Sequence, residues 1–387
     1  MATTTLPSSV PDTHPAIVIT APRQPLQLLS RPTVPPKDGE ALVHVTWTSS
    51  SPLDLHRADG GLALGTPPFV MGISFGGTVV ALGGSKPTHL SVGDKVVGFV
   101  QDGAPDEAGF QTYITLPIWK VSKVPASMTL PEAVTVPANL VTAFHTITED
   151  LGLDLPWPLP QGWTPPQAQE RILVWGAASS VGMYVLQVLR HWGYRNVLAV
   201  ASGKHHELLK GLGAKECFDY RNGNVVEEIA RYLADAEGSA SSAGRPRVPF
   251  FVDCIGSREG TLRPLSKIAE PGSKVAIMLP VINVHAGDEQ VPEYEGDVSK
   301  VLPGDWAEGV ELRGTRTFFY AKNEFFKHHL QPEIVPALLE QGVVQPNKHR
   351  IVEGNTLLER AENALKLLRN QAVSGERLVW RIADEED

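Results

Sequence analysis

The run Ile172-Leu173-Val174-Trp175-Gly176-Ala177-Ala178-Ser179-Ser180-Val181-Gly182 carries the most chemical information in the chain. Four apolar residues read as a buried strand, and Val181, Val185, Val188, Leu189 and Trp192 follow at helical spacing. The small residues between them place a helix N-terminus, with its unpaired N–H groups and positive dipole end, at an open turn. An anion is stabilised there, and a dinucleotide pyrophosphate fits. Gly182 lets the helix lie close to the strand. Strict G-x-G-x-x-G spacing is absent, since Ala178 and Ser179 stand where glycine is often found. A turn that binds nothing is therefore the alternative, and the strands that follow weigh against it.

The end of the second strand bears on which nucleotide is held. A cofactor without a 2′-phosphate is normally met by an acidic side chain about 20 residues beyond the glycine turn. Here the stretch is Ala199-Val200-Ala201-Ser202-Gly203-Lys204-His205-His206, with no carboxylate before Glu207. Ser202 and Lys204 offer a hydroxyl and a cation, which suit a dianionic phosphate and point to NADPH. The competing reading makes Lys204 a solvated residue at a helix start.

Other chemistry is scarce. Cys217 and Cys254 are the only cysteines, each in a strand-like run, too few for a disulfide framework or a thiolate zinc site. The pairs His205-His206 and His328-His329, if helical, splay about 100° apart and make poor metal pairs. Net charge is −9 with no long basic stretch, which argues against nucleic acid. Hydrophobic residues at 42% and charged residues at 20% supply an ordinary packed core. No signal-peptide pattern opens the chain, and no apolar run reaches the roughly 20 residues of a membrane helix. The expectation is a soluble, intracellular protein, cytoplasmic, with 1–15 a frayed extension.

At 387 residues the chain exceeds what one core usually serves, so two domains are expected. From 16 to about 113, short β-branched runs alternate with Pro and Gly, predicting a β-rich domain with one short helix at 52–59. Residues 151–169 are too proline-rich for a regular element and read as a surface loop or linker. The rhythm then becomes strand and helix in turn: strands at 171–175, 197–201, 216–220, 248–254 and 274–278, and helices at 179–192, 205–212, 225–233 and 262–269. This predicts an α/β doubly wound parallel sheet, interrupted by a Gly/Ser/Ala-rich loop at 234–247. A strand at 313–320, a helical stretch at 324–341 broken near Pro332 and Pro336, a strand at 350–353, a helix at 357–369 and a strand at 377–382 complete the reading.

In order along the chain come Ser51-Pro52-Leu53-Asp54, Met71-Gly72-Ile73-Ser74-Phe75-Gly76-Gly77-Thr78-Val79, Val92-Gly93-Asp94-Lys95-Val96, Pro137-Ala138-Asn139-Leu140-Val141-Thr142-Ala143-Phe144, the Gly176 to Gly182 turn, and Phe251-Val252-Asp253-Cys254-Ile255-Gly256. With these segments the chain resembles the medium-chain dehydrogenase/reductase superfamily, in its zinc-independent quinone reductase and trans-acting enoyl reductase-like branch, from about 16 to 382. The resemblance implies a Rossmann domain, 141–321, inserted into a β-rich GroES-like substrate domain made of 1–140 and 322–387, with the active site in the cleft. It also implies cofactor contacts at Ser51, Asn139, Gly176, Ala177, Ala178, Ser179, Ser180, Val181, Gly182, Ser202, Lys204, His205, Tyr220, Cys254, Ile255, Leu279, Phe318 and Phe319.

Departures from the family matter equally. Zinc-dependent relatives carry their ligands at positions matching Ser51, Ile73 (with Ser74) and Ala138, none of which supplies a thiolate or imidazole. Without a metal to polarise an alcohol, hydride from NADPH is expected to go to an already electrophilic carbon, in an enone, enoyl thioester or quinone. His56 matches a place where relatives often have Tyr or Lys; it reads as a proton donor or carbonyl contact, or equally as a half-exposed loop histidine. Thr142 matches a threonine beside the nicotinamide. Asp54 reads as a backbone holder rather than an acid. Tyr220 resembles a tyrosine on the 2′-phosphate in some relatives, yet a tyrosine at a strand end also serves plain packing.

Some members of this branch are free-standing enoyl reductase partners of polyketide synthases, so both a free small substrate and a carrier-bound one stay open. The alternative from another class is an idle NADPH-binding sensor or scaffold that kept the fold and lost turnover, given altered positions such as Ser74 and His56. Many relatives in this branch pair through an edge strand of the nucleotide domain and others are monomers, so the resemblance leaves both states open.

Overall fold

The computed structural model describes residues 6–84, 88–100, 104–235 and 245–384. Two units form along the chain: unit 1 is Met1–Val141, Ala286–Pro292 and Tyr320–Asp387, and unit 2 is Thr142–His285 and Glu293–Phe319.

Short apolar runs build the four central strands of the sheet of unit 2, as expected for strands covered on both faces, and the two edge strands are more polar. The six strands are β1 (Ile172–Trp175), β2 (Val197–Val200), β3 (Glu216–Phe218), β4 (Phe250–Asp253), β5 (Lys274–Met278) and β6 (Glu311–Thr315). All neighbours pair in parallel, in the order β3-β2-β1-β4-β5-β6. The strand order reverses direction beside β1, and ligands of such sheets bind beyond the carboxyl ends there. Helix α1 (Ser180–His191) follows β1 and buries Met183, Tyr184, Val185, Leu186, Val188 and Leu189.

Several boundaries differ from the sequence reading. The strand expected at 313–320 ends at Thr315, and a 3-10 turn, Thr317–Lys322, replaces its second half. The cause lies in its strand partner: β5 ends at Met278, paired to Thr315, and Leu279 is followed by Pro280, which has no N–H to continue the ladder. The helix expected at 262–269 is a π-turn, Arg258–Leu262, running into Arg263–Ser266. Residues 151–169 hold no regular element, but they are not a free linker: Leu151, Leu153 and Leu155 are buried, and the loop's carbonyls at Pro156 and Asp154 accept bonds from Trp192 and Tyr194. Of the soft loop at 234–247, residues 236–244 lie outside the described residues.

In unit 1 the long strand Glu40–Ser50 is the spine. It pairs antiparallel with Ser74–Leu82, with Tyr113–Pro117 and with Arg377–Arg381, so the last strand of the chain completes the sheet begun by the first hundred residues. A second antiparallel group joins Thr13–Ile19 to Gln27–Pro32 and Phe69–Val70. Ile17, Phe75, Phe110, Ile114 and Trp380 centre the core. The expected fraying of 1–15 is corrected in part: Val10 is buried with Leu42, Ala81 and Tyr113, and the first strand begins at Thr13; residues 1–5 lie outside the described residues. Helix Pro52–Gly60 contacts helix Leu357–Arg369, and Asp59 accepts two bonds of 2.7 Å from Arg369. Residues 286–292 belong to unit 1, an excursion without a signal in the sequence, and Arg23 donates to the carbonyls of Asp288 at 2.6 Å and Gln290 at 3.0 Å.

Candidate active site

The turn after β1 closes with little space. Gly176 has φ +72°, and a Cβ there would stand 2.5 Å from Ile255 Cγ1 and 3.5 Å from Cys254 Cβ. At Gly182 a Cβ would lie 2.7 Å from the Cα and the carbonyl oxygen of Ala177. The first turn of α1 therefore rests directly on the loop, and only glycine permits it. Ser179 is the N-cap, its Oγ accepting from the Gly182 N–H at 3.1 Å. Ala177 and Ala178 are buried, and Ser180 and Val181 are half-buried at the helix start. The close packing at both glycines fixes a capped helix N-terminus at the turn, an element whose N–H groups and dipole suit an anion such as a dinucleotide pyrophosphate.

Beside it, the end of β2 leads to Ser202, 4% exposed, whose Oγ has no hydrogen-bond partner among the described residues. Gly203–His205 forms a 3-10 turn with Lys204 exposed. Burial first, then Lys204 and Arg221, hold the His205 imidazole below its ordinary range. The sequence along β2 shows no carboxylate, yet the structure delivers one from the next strand: Asp219 Oδ2 accepts from Gly203 N at 2.8 Å and its Oδ1 from Arg221 N at 2.9 Å. Those backbone bonds, the one from Arg221 foremost, keep Asp219 below the usual carboxylate range. Tyr220 follows, 48% exposed.

Past β4, Asp253 is fully buried and burial pushes it up to about 6, against bonds from Thr261 Oγ1 at 2.8 Å and from the N–H groups of Ile255 and Gly256, each at 3.1 Å. It fixes the turn that sets Cys254 and Ile255 against Gly176. The role of Asp253 is not apparent from its segment in the sequence, where an acid immediately before a strand-ending turn is the available signal. Burial holds the Cys254 thiol far above its ordinary range, so it stays protonated.

On the other side of the sheet order, Thr142 Oγ1 lies 3.0 Å from Thr317 Oγ1, and Thr315 Oγ1 donates to Asp150 Oδ2 at 2.7 Å. Between them Thr146 Oγ1 donates to the Thr142 carbonyl at 2.8 Å. A polar seam thus ties the helical stretch 142–150 to the end of β6. Leu279 packs over Gly314, where a Cβ would sit 2.8 Å from its Cδ1. Phe318 and Phe319 lie on the 3-10 turn, the latter 44% exposed.

Unit 1 holds the remaining expected residues. Ser51 donates through N at 2.6 Å and through Oγ at 3.3 Å to Asp54 Oδ2, so its polar groups serve the start of helix Pro52–Gly60. Burial raises Asp54 above the ordinary range, and Arg57, itself pushed down to about 10 by burial, opposes that rise. His56 is buried on the same helix. Asn139 donates to the Thr135 carbonyl at 3.1 Å and accepts from Arg377 at 3.2 Å, and Arg377 also reaches Ser49 Oγ at 3.3 Å. Arg377 was not foreseen; nothing in a lone arginine near the end of the chain marks it. Ser51, Ile73, Ser74 and Ala138 are all buried, and Ser74 Oγ is without a hydrogen-bond partner among the described residues. Among the described residues no group of three His, Cys, Asp or Glu is placed to hold a metal ion. None of their helices is long and apolar enough to cross a membrane.

Comparisons with known proteins agree with this architecture. Residues 37–127 match the alcohol dehydrogenase GroES-like domain family. The chain is 34% identical over 222 residues to the trans-enoyl reductase tndF of Aspergillus flavipes, an alignment covering 56% of this chain and 62% of that protein's length. It is 34% identical over 224 residues to the trans-enoyl reductase tazE of Aspergillus terreus, covering 56% of this chain and 71% of the relative. The enoyl reductase component lovC of the lovastatin nonaketide synthase, from Aspergillus terreus, is 27% identical over 332 residues, 82% of this chain and 83% of that one. Among solved structures, the CurK enoyl reductase superposes with TM-score 0.67 at 17% identity, covering 96% of this chain and 99% of that one, a likeness of fold. The chain belongs to the medium-chain dehydrogenase/reductase superfamily, in its zinc-independent quinone and enoyl reductase branch.

Proposed function

We propose that this protein is an NADPH-dependent oxidoreductase that reduces a carbon–carbon double bond conjugated to a carbonyl, or a quinone, without zinc. The observation that carries the cofactor choice is a buried Ser202 hydroxyl without a hydrogen-bond partner among the described residues, followed two positions on by the exposed Lys204 cation, at the strand end where a ribose-binding carboxylate is otherwise expected. Asp219 stands just past the end of the next strand, β3, and each of its oxygens accepts a backbone N–H. The substrate class is supported by the relatives' names, enoyl reductases, and by the absence of metal-ligand types at Ser51, Ile73, Ser74 and Ala138.

When bound, NADPH supplies a hydride to the electrophilic carbon of the substrate. The chain's own residues then do the following. The Gly176–Gly182 turn and α1 hold the pyrophosphate; Ser202 and Lys204 hold the 2′-phosphate. Thr142, fixed by Thr317, orients the nicotinamide end. His56 hydrogen-bonds the substrate carbonyl or delivers the proton that completes the reduction. A carrier-bound enoyl chain made by a polyketide synthase is the proposed natural substrate, supported by the trans-enoyl reductase and synthase-component names of the relatives. A cytoplasmic location accords with its free thiols, Cys217 and Cys254.

The test is to mix purified protein with NADPH and a panel of enones, quinones and enoyl thioesters and follow the nicotinamide absorbance. Turnover on an enoyl thioester or enone supports the reading. NADPH binding without turnover on any panel member would replace it with an idle sensor or scaffold.

A further inference from the structure

Strands β2 and β3 are parallel neighbours, with Val200 paired to Phe218 as the last rung and Ala201 N bonded to the Phe218 carbonyl at 3.0 Å. Their carboxyl ends therefore release two turns side by side, one carrying Ser202 to His205 and the other Asp219 to Asn222. The Asp219 carboxylate joins these turns, one oxygen on Gly203 N and the other on Arg221 N. Gly203 is what lets it in: a Cβ there would stand 2.8 Å from Asp219 Oδ2. The second turn is closed by Asn222 N on the Asp219 carbonyl at 3.1 Å, with Tyr220 and Arg221 exposed on it, while on the first turn the Ser202 hydroxyl has no hydrogen-bond partner among the described residues.

We propose that Arg221 is a second cationic ligand of the cofactor's 2′-phosphate and that Asp219 is the positioning residue which holds it there. The proposal rests on the NADPH reading above and adds to it a specificity residue from a different strand. A dianionic phosphate has three terminal oxygens, more than one lysine ammonium and one hydroxyl satisfy, and a guanidinium fork bonds two of them at once. Lys204 follows Gly203 and Arg221 stands two residues past Asp219, so the Asp219 bridge from Gly203 N to Arg221 N brings the two cationic residues onto adjoining turns. Of the carboxylates nearby, Asp219 is hydrogen-bonded by two backbone N–H groups and Glu216 is paired with Lys210 at 3.2 Å; Glu207 lies on the helix beyond.

The experiment measures dissociation constants for NADPH and NADH, by titration calorimetry, on the full chain and its Arg221→Ala, Arg221→Lys, Lys204→Ala and Asp219→Asn variants. Arg221→Ala is expected to weaken NADPH about ten- to a hundredfold, the worth of a charge-assisted bond, while NADH affinity and melting temperature stay unchanged. Arg221→Lys should recover part of the loss. Asp219→Asn is the sharper case: deleting a negative charge near a phosphate would by itself tighten NADPH, whereas loss of the bridge should weaken it severalfold relative to NADH. Tighter NADPH binding in that variant overturns the positioning role. If the unaltered protein prefers NADPH and Lys204→Ala abolishes the preference while Arg221→Ala leaves it intact, the Arg221 assignment is wrong and the NADPH reading stands. If the unaltered protein shows no preference, both fall.

Discussion

The Asp150 carboxyl accepts the Thr315 hydroxyl at 2.7 Å in the interior of unit 2. Burial pushes this carboxyl up to about 6, the Thr315 bond works against the rise, Glu149 adds to it and Arg313 opposes it. A group whose pKa is higher in the fold than in the open chain binds its proton more tightly when folded. Its stabilising contribution is complete below the ordinary value near 3.8 and is lost as pH rises through about 6. A difference of that size corresponds to about 3 kcal/mol.

Asp150→Asn keeps an acceptor for Thr315 and cannot ionise. Its melting temperature relative to the unaltered protein should therefore climb between pH 4 and pH 7, by several degrees. Asp253, also raised to about 6, titrates in both proteins and cancels in the comparison. A difference that stays flat over this range would show that Asp150 is not the titrating group.

Gly182→Ala should cost about 1–3 kcal/mol, because the new methyl meets backbone atoms of Ala177 that cannot rotate away. Cofactor affinity should fall with it, since the same displacement lifts α1 off the turn. Gly211→Ala is the matched control: it lies in helix His206–Leu212 with no atom within 4 Å of the added Cβ, and should stabilise by about 0.5–1 kcal/mol. Thermal melts with and without NADPH compare them. Equal melting temperatures for the two variants would contradict the close packing at Gly182.

The strand and helix alternation of unit 2 was legible because its four central strands are mostly apolar runs ended by a turn, a signal local in sequence. The Gly176 to Gly182 turn was legible for the same reason. What escaped the sequence is non-local. Asp219 reaches Gly203 from the end of the neighbouring strand, and β2 alone carries no acid. The premature end of β6 depends on Pro280, more than 30 residues earlier in the chain, which ends the partner strand. Arg377 finds Asn139 and Ser49 only because the last strand pairs with Glu40–Ser50. The stretch 286–292 looks like any polar loop until its carbonyls are seen on Arg23.

Purified protein should carry no stoichiometric metal, and chelators should leave its melting temperature unchanged. The reason is chemical: Ser51, Ile73, Ser74 and Ala138 provide no thiolate or imidazole at the positions where zinc-dependent relatives bind the ion. Elemental analysis after dialysis decides it, and one retained equivalent of zinc would refute the expectation.

The last prediction separates the two side chains proposed to work on opposite reactants. His56 sits on helix Pro52–Gly60 of unit 1, apart in the chain from the nucleotide turn, whereas Thr142 begins unit 2 with its hydroxyl on Thr317. His56→Ala should therefore lower turnover on the best substrate while NADPH affinity holds. General acid help is worth roughly 10²–10⁴-fold, so a loss of that order means direct proton delivery, and a loss of only a few-fold means His56 merely orients the carbonyl. Solvent isotope effects distinguish these further, because a rate-limiting proton from His56 gives a normal effect that the alanine variant changes. Thr142→Ala should instead release Thr317 and disturb how the nicotinamide end is held, reducing hydride transfer and NADPH affinity together. Stopped-flow single turnovers, read beside binding titrations, place each variant in one class or the other. Full turnover in His56→Ala on every substrate accepted by the unaltered protein would remove the histidine from the chemistry, leaving positioning by the cofactor turn and a proton from water.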